Sequence, residues 1–176
     1  QQAELLASAQ TPHNALATEI AHAAGLRAHE LLTLRPVAER AADPRPALDS
    51  KWKGRSGEIY TVQGKGGLTR EVMIPHELAA RLEERRLDAP QVVTDRGVFY
   101  QSSYDIGGGQ RWSNSVSAAS ERTMGRSTGA HGLRHSYAQE RMTELQNRGL
   151  SRDAALETVS QEMGHFRPEI TETYLR

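Results

Sequence analysis

The chain has no cysteine, so disulfides and thiolate-ligated metals are excluded. That fits a reducing compartment. No apolar run approaches the ~18 residues that a membrane helix needs. The opening residues, QQAELLASAQ, lack the basic segment and apolar stretch of a secretory signal. There is no internal repeat and no low-complexity tract. Net charge is also missing: 22 basic side chains balance 22 acidic ones. A basic balance is the usual footprint of a nucleic-acid binder, so a zero sum argues mildly against that class. What is present suits one globular domain with a real core: 176 residues, 37% hydrophobic and 25% charged.

Local charge says more than the sum. Between Lys51 and Arg70 the chain carries Lys51, Lys53, Arg55, Lys65 and Arg70 against one acid, Glu58. This is either a solvated charged surface or one basic face for DNA, balanced by acids elsewhere. In the second case Lys51, Lys53, Arg55 and Arg70 are the candidate DNA contacts.

Periodicity predicts a mainly helical α+β domain over residues 1–176. Leu16, Ile20 and Ala24, then Leu31 and Leu34, recur at helical spacing from Asn14 onward. Gly25 is a helix stop; a second helix is expected from about His29 and ends at Pro36. Residues 37–57 are polar and rich in Pro and Ala, which reads as a loop with room for an edge strand near Trp52. EIYTVQ (58–63) and REVMI (70–74) flank Gly64-Lys65-Gly66-Gly67, so a β-hairpin with Lys65 at its tip is predicted. Helices follow at His76–Leu87, with Leu78 and Leu82 inward, and at Asn114–Met124, Gly132–Asn147 and Arg152–Met163. Ser151 is expected to cap the last. Residues 90–111 read as irregular, with Gly107-Gly108-Gly109 as a flexible spot.

Three segments carry chemistry: GLRAHELL (25–32), HGLRHSYA (131–138), and MGHF (163–166) with Tyr174 nine residues after His165. His131 and Arg134 are three apart and share a helix face. A helix start has free amides that suit an anion, and an arginine fork matches two phosphate oxygens. The alternative is a structural ion pair for Arg134 and a capping role for His131. His131, His135 and His165 also suggest a metal site. However, the residues between the first two lack the Glu of an HExxH protease, and Arg134 would repel a divalent cation. His135 is better read as a packed histidine with its ring hydrogen-bonded nearby. Tyr174 taken alone reads as a packing residue or terminal anchor.

Together these segments resemble the tyrosine recombinase and integrase family, which includes phage lambda integrase and the Xer resolvases. The match runs from about residue 14 to the last residue. The family's first arginine, in GLR-x-x-E-L, corresponds to Arg27, and its hairpin lysine to Lys65. H-x-x-R-H gives His131 and Arg134, the GH pair gives His165, and the tyrosine is Tyr174. The Arg27-to-Lys65 interval is longer than in compact members, which suits an insertion near 37–57 and leaves Lys51 and Lys53 as competitors for the lysine.

The resemblance implies the catalytic-domain fold of the DNA breaking-rejoining enzymes. It further implies that the chain is such a domain without the family's N-terminal DNA-binding domain and C-terminal tail. It implies a site-specific recombinase that cuts and rejoins strands through a 3′-phosphotyrosyl intermediate. Tyr174 is then the nucleophile, His131 the general base, Arg27 and Arg134 the phosphate clamp, and Lys65 the proton donor to the leaving 5′-oxygen. His165 would hydrogen-bond the phosphate. No cofactor or metal is implied. The partner is double-stranded DNA, bound by a tetramer of the full-length protein, with this fragment alone a monomer. The setting is the cytoplasm of a bacterium or of a phage host. Type IB topoisomerase-like relaxation and a DNA-binding domain without catalysis are the alternative readings.

Overall fold

The structure is a computed structural model that describes residues 2–64, 66–126, 129–165 and 167–176. Helix α1 (Gln2–Ala7) precedes α2 (Pro12–Ala24), and a 3-10 turn spans His29–Thr33. Strands β1 (Arg35–Pro36), β2 (Glu58–Gln63) and β3 (Thr69–Ile74) form an antiparallel sheet in that order. Then come α3 (His76–Glu83), β4 (Arg86–Asp95) and β5 (Val98–Tyr104). Last are α4 (Gly109–Met124), α5 (His131–Asn147), α6 (Arg152–Met163) and α7 (Pro168–Thr173). The fold is α+β, as the sequence predicts, helical with two small antiparallel sheets of which the sequence predicts the first.

Local chemistry explains these elements. Pro12 opens α2, where its missing N–H costs nothing. Gly25 closes it in the left-handed region (φ 68°), and Leu26 N–H returns to the Ala21 carbonyl at 3.0 Å. Ser151 caps α6 by accepting from Ala154 N–H at 3.1 Å. The predicted hairpin pairs Glu58 with Ile74 through to Gln63 with Thr69.

Two apolar cores meet along α5. The first joins Leu16 and Ile20 of α2, Leu31 and Leu34, Val62 and Val72 of the hairpin, Leu82, Trp112, Val116 and Leu133. The second joins Tyr137, Met142, Leu145, Leu156, Val159, Met163 and Tyr174. Each large aliphatic group so buried contributes about 1.5–3 kcal/mol. Leu133 belongs to one core and Tyr137 to the other, so the N-terminal turn of α5 lies at the seam.

Several expectations need correction. The segment after His29 is a 3-10 turn, and Pro36 sits in β1, paired with Tyr60, instead of ending a helix. Residues 37–57 form no strand; Lys51 to Gly54 are turns. Helix α3 stops at Glu83, and α4 starts five residues before the predicted Asn114. Residues 86–104 are a β-hairpin, not irregular chain. Its two-residue turn puts Arg96 (φ 50°) and Gly97 (φ 77°) both in the left-handed region. An arginine at the first of those positions hides the turn, where asparagine or aspartate would announce it. Gly107 and Gly108 are closely packed rather than flexible: a Cβ on Gly108 would lie 2.7 Å from Leu32 Cδ2.

Candidate active site

Helix ends deliver the chemistry-bearing side chains to the seam. Arg27 follows the α2 stop, His131 and Arg134 sit on the first turn of α5, His165 follows the α6 stop, and Tyr174 closes α7. The motif glycines are required by geometry. Gly164 ends α6 at φ 79°, and a Cβ there would lie 2.6 Å from Arg70 Cδ. At Gly25 a Cβ would lie 2.9 Å from the Tyr137 ring. Both positions need the absence of a side chain as well as the left-handed backbone.

Arg134 is 1% exposed. It donates to the Gly25 carbonyl through Nη1, and through Nη2 to His165 Nε2 at 3.0 Å and the Met163 carbonyl at 3.4 Å. Its buried Nε has no hydrogen-bond partner among the described residues. Tyr174 is 7% exposed, and its ring lies 5.2 Å from the Arg134 guanidinium. Three histidine rings surround it, His131 at 5.1 Å, His135 at 5.0 Å and His165 stacked at 5.4 Å. The tyrosine is therefore seated in the site of its own chain. His135 Nδ1 donates to the Tyr174 carbonyl at 3.0 Å, the nearby ring hydrogen bond expected of it.

Glu30 is the residue to which sequence reasoning gave no role. It lies in the GLR-x-x-E-L motif, three residues after Arg27, and that spacing was the available signal. Its carboxylate is fully buried. It accepts from Arg27 N–H at 2.8 Å and from Arg70 Nη2 at 2.9 Å, and lies 3.6 Å from Arg27 Nη1. Burial pushes this carboxyl up, but Arg70, Arg134 and Arg27 outweigh burial and hold it at about 2. Three guanidiniums thus gather around one carboxylate, leaving a surplus of two positive charges. The histidines register that field. His165 is pushed down to about 3 by burial and then by Arg134, Arg27 and Arg70. His131 is lowered by burial, His135, Arg134 and Arg27. A cavity of about 420 Å³ opens here, lined by Arg27, His29, Glu30, Gly64, Arg70 and Gly164 among others.

Five of the six predicted catalytic residues, Arg27, His131, Arg134, His165 and Tyr174, therefore converge. The sixth, Lys65, lies outside the described residues; its neighbour Gly64 lines the cavity. The candidate DNA contacts divide. Arg70 turns inward, with Glu30 on one side and the Glu162 carbonyl at 2.9 Å on the other. Arg55 is committed to Glu144 at 2.6 Å and to the Ala23 carbonyl at 3.2 Å, pinning the 37–57 loop to the helices. Both were candidates for a DNA-facing surface, but a buried or paired guanidinium gains more from a fixed carboxylate than from water. Lys51 is half-buried, with Nζ 4.4 Å from the Trp52 ring centroid, and burial lowers its pKa. It lines a second cavity together with Gly164 and His165. The Lys53 side chain is exposed.

No described helix is long and apolar enough to cross a membrane. Among the described residues, no group of three or more His, Asp or Glu side chains is placed to hold a metal ion.

No protein-family model and no curated protein sequence matches the chain. Solved structures do. One is the XerH site-specific recombinase bound to difH substrate in a pre-cleavage complex, with TM-score 0.59 and 19% identity over 99% of this chain. Another is XerH on palindromic difH in a post-cleavage complex, with TM-score 0.61 and 20% identity over 99% of this chain. The chain spans 47% and 46% of those chains. It therefore has the α+β fold of the XerH site-specific recombinase, over a little under half of that protein's length.

Proposed function

We propose that the chain is the catalytic part of a site-specific tyrosine recombinase that cuts and rejoins double-stranded DNA. The observation that carries this reading is the seating of Tyr174 within 5.2 Å of a buried arginine, beside a surplus of positive charge. A phosphodiester supplies the negative charge such a cluster needs. XerH, whose fold the chain shares, was crystallised on its DNA substrate.

The reaction follows from the residue types. The Tyr174 phenol gives its proton to His131, whose lowered pKa keeps it neutral and able to accept. The phenolate oxygen attacks phosphorus, the P–O5′ bond breaks, and Lys65 protonates the departing 5′-oxygen. Arg27 and Arg134 offset the charge on the non-bridging oxygens, the role a metal serves in many phosphoryl-transfer enzymes. A second 5′-hydroxyl then attacks the phosphotyrosine and restores the phenol. Bond energy stays in the ester, so no nucleotide is consumed.

The test is a nicked duplex that traps the covalent product. Wild type is expected to give an adduct that maps to Tyr174, and Tyr174→Phe to give none while binding the duplex with affinity within about threefold. Equal adduct from both proteins would remove the assignment.

A further inference from the structure

A hydrogen-bonded chain links Arg134 to the helix that carries Tyr174, and donor chemistry fixes its direction. A guanidinium has donors only, so Arg134 Nη2 donates to His165 Nε2 at 3.0 Å. That nitrogen therefore presents its lone pair. The ring is neutral, because burial and the surrounding arginines oppose its protonation. Its one hydrogen is then on Nδ1, which donates to Thr171 Oγ1 at 2.7 Å. The Thr171 hydroxyl passes its own hydrogen to Ser160 Oγ at 2.7 Å, and Ser160 donates to the Leu156 carbonyl at 2.7 Å. Thr171 is fully buried, and Ser160 and His165 are nearly so.

Thr171 sits three residues before Tyr174 on α7, and its carbonyl accepts from the Tyr174 N–H at 2.9 Å. The hydroxyl that engages the His165 ring thus rides on the turn that carries the phenol. Stacking against Tyr174 at 19° restrains the plane of the ring but not which edge faces Arg134. A flipped ring would stack equally well. Thr171 and Arg134 together separate the two orientations, because a flipped ring would present carbon to both.

We propose that Thr171 is a positioning residue, whose hydroxyl accepts from His165 Nδ1–H, holds the ring with Nε2 toward Arg134, and so couples the seating of the Tyr174 helix to the phosphate clamp. This rests on the reading that Arg134 clamps the scissile phosphate. Loss of the hydroxyl leaves the buried Nδ1–H without its acceptor, so the ring is free to flip away from Arg134; Arg134 Nη2 then loses a fixed partner and the tautomer is no longer held.

Two variants test it. Thr171→Val keeps the shape and removes the hydroxyl; Thr171→Ser keeps the hydroxyl. Long-range 1H–15N spectra of the DNA-free protein at pH 7, with His165 assigned through His165→Asn, report the tautomer. Wild type and Thr171→Ser are expected to show Nδ1–H alone, and Thr171→Val a mixture or the other form. On the nicked duplex, Thr171→Val is expected to slow adduct formation ten- to a hundredfold at saturating DNA, with Kd within threefold, and Thr171→Ser to recover most of the rate. A wild-type tautomer and rate in Thr171→Val would overturn the proposal, as would equal losses in both variants. Thr171→Ala enters the same assays if the valine variant does not fold. A wild type that forms no adduct would defeat the recombinase reading instead, and the DNA-free spectra would still decide what Thr171 does to the ring.

Discussion

The carbonyl of Tyr174 accepts a hydrogen bond from Nδ1 of His135 at 3.0 Å. A carbonyl cannot donate, so that nitrogen carries a hydrogen. The bond ties the end of α7 to α5, one turn along from His131. It holds the backbone of Tyr174, while the three rings and Arg134 hold the phenol ring.

His135→Phe keeps a ring in that place and deletes the bond. A neutral hydrogen bond contributes about 1 kcal/mol net. The single-turnover adduct rate on a nicked duplex is therefore expected to fall about fivefold, with DNA affinity unchanged. A rate equal to wild type would show that this bond does not seat Tyr174.

Arg134 combines position with charge. One donor to a developing transition-state charge is worth roughly 2.7–4 kcal/mol. Arg134→Ala is expected to lose on the order of a hundred- to a thousandfold in adduct rate. Arg134→Lys restores charge without the planar fork. It cannot span Gly25, Met163 and His165 together, so it is expected to recover only a minor part of the rate. Circular dichroism of both variants separates this loss from unfolding. Cleavage by Arg134→Ala at the wild-type rate would contradict the clamp.

Acid should destabilise the fold in two overlapping windows. The Glu30 pKa lies at about 2, below its ordinary 4.5. A depressed carboxyl contributes stability that is present above about 4.5 and is lost as pH falls toward 2. His165 lies at about 3 against an ordinary 6.5. A histidine kept neutral by the fold likewise contributes stability above about 6.5 that is lost as pH falls toward 3. Urea midpoints from pH 7 to 3 are expected to decline throughout. His165→Asn should flatten the upper part of the curve, and Glu30→Gln the part below about 4.5. A parallel decline in both variants would show that other groups set the acid response.

Much of the site was legible because its residues lie beside helix ends, and helix ends have sequence signals. Gly25 and Gly164 mark the stops that Arg27 and His165 follow, whereas α5 starts after Ala130 without a side-chain cap, and His131 and Arg134 were legible from the HGLRH pattern. The β4–β5 hairpin was not legible. Its turn begins with arginine, and Val92, Val98 and Phe99 are exposed, so no clean inward and outward alternation signals a strand. Neither the structural use of Arg55 and Arg70 nor the role of Glu30 was legible. A run of basic residues looks the same whether its partners are phosphates or carboxylates distant in sequence.

The amino-acid order by itself determined where helices stop and which side chains stand at those stops, because capping and periodicity act over a few neighbouring residues. Only the tertiary structure decided which of those stops meet. Arg70 reaches Glu30 across forty residues, and Thr171 reaches His165 from the helix that holds the phenol. Burial then fixed their charges and proton positions, because a polar group removed from water must find its partner wherever the packed chain puts one.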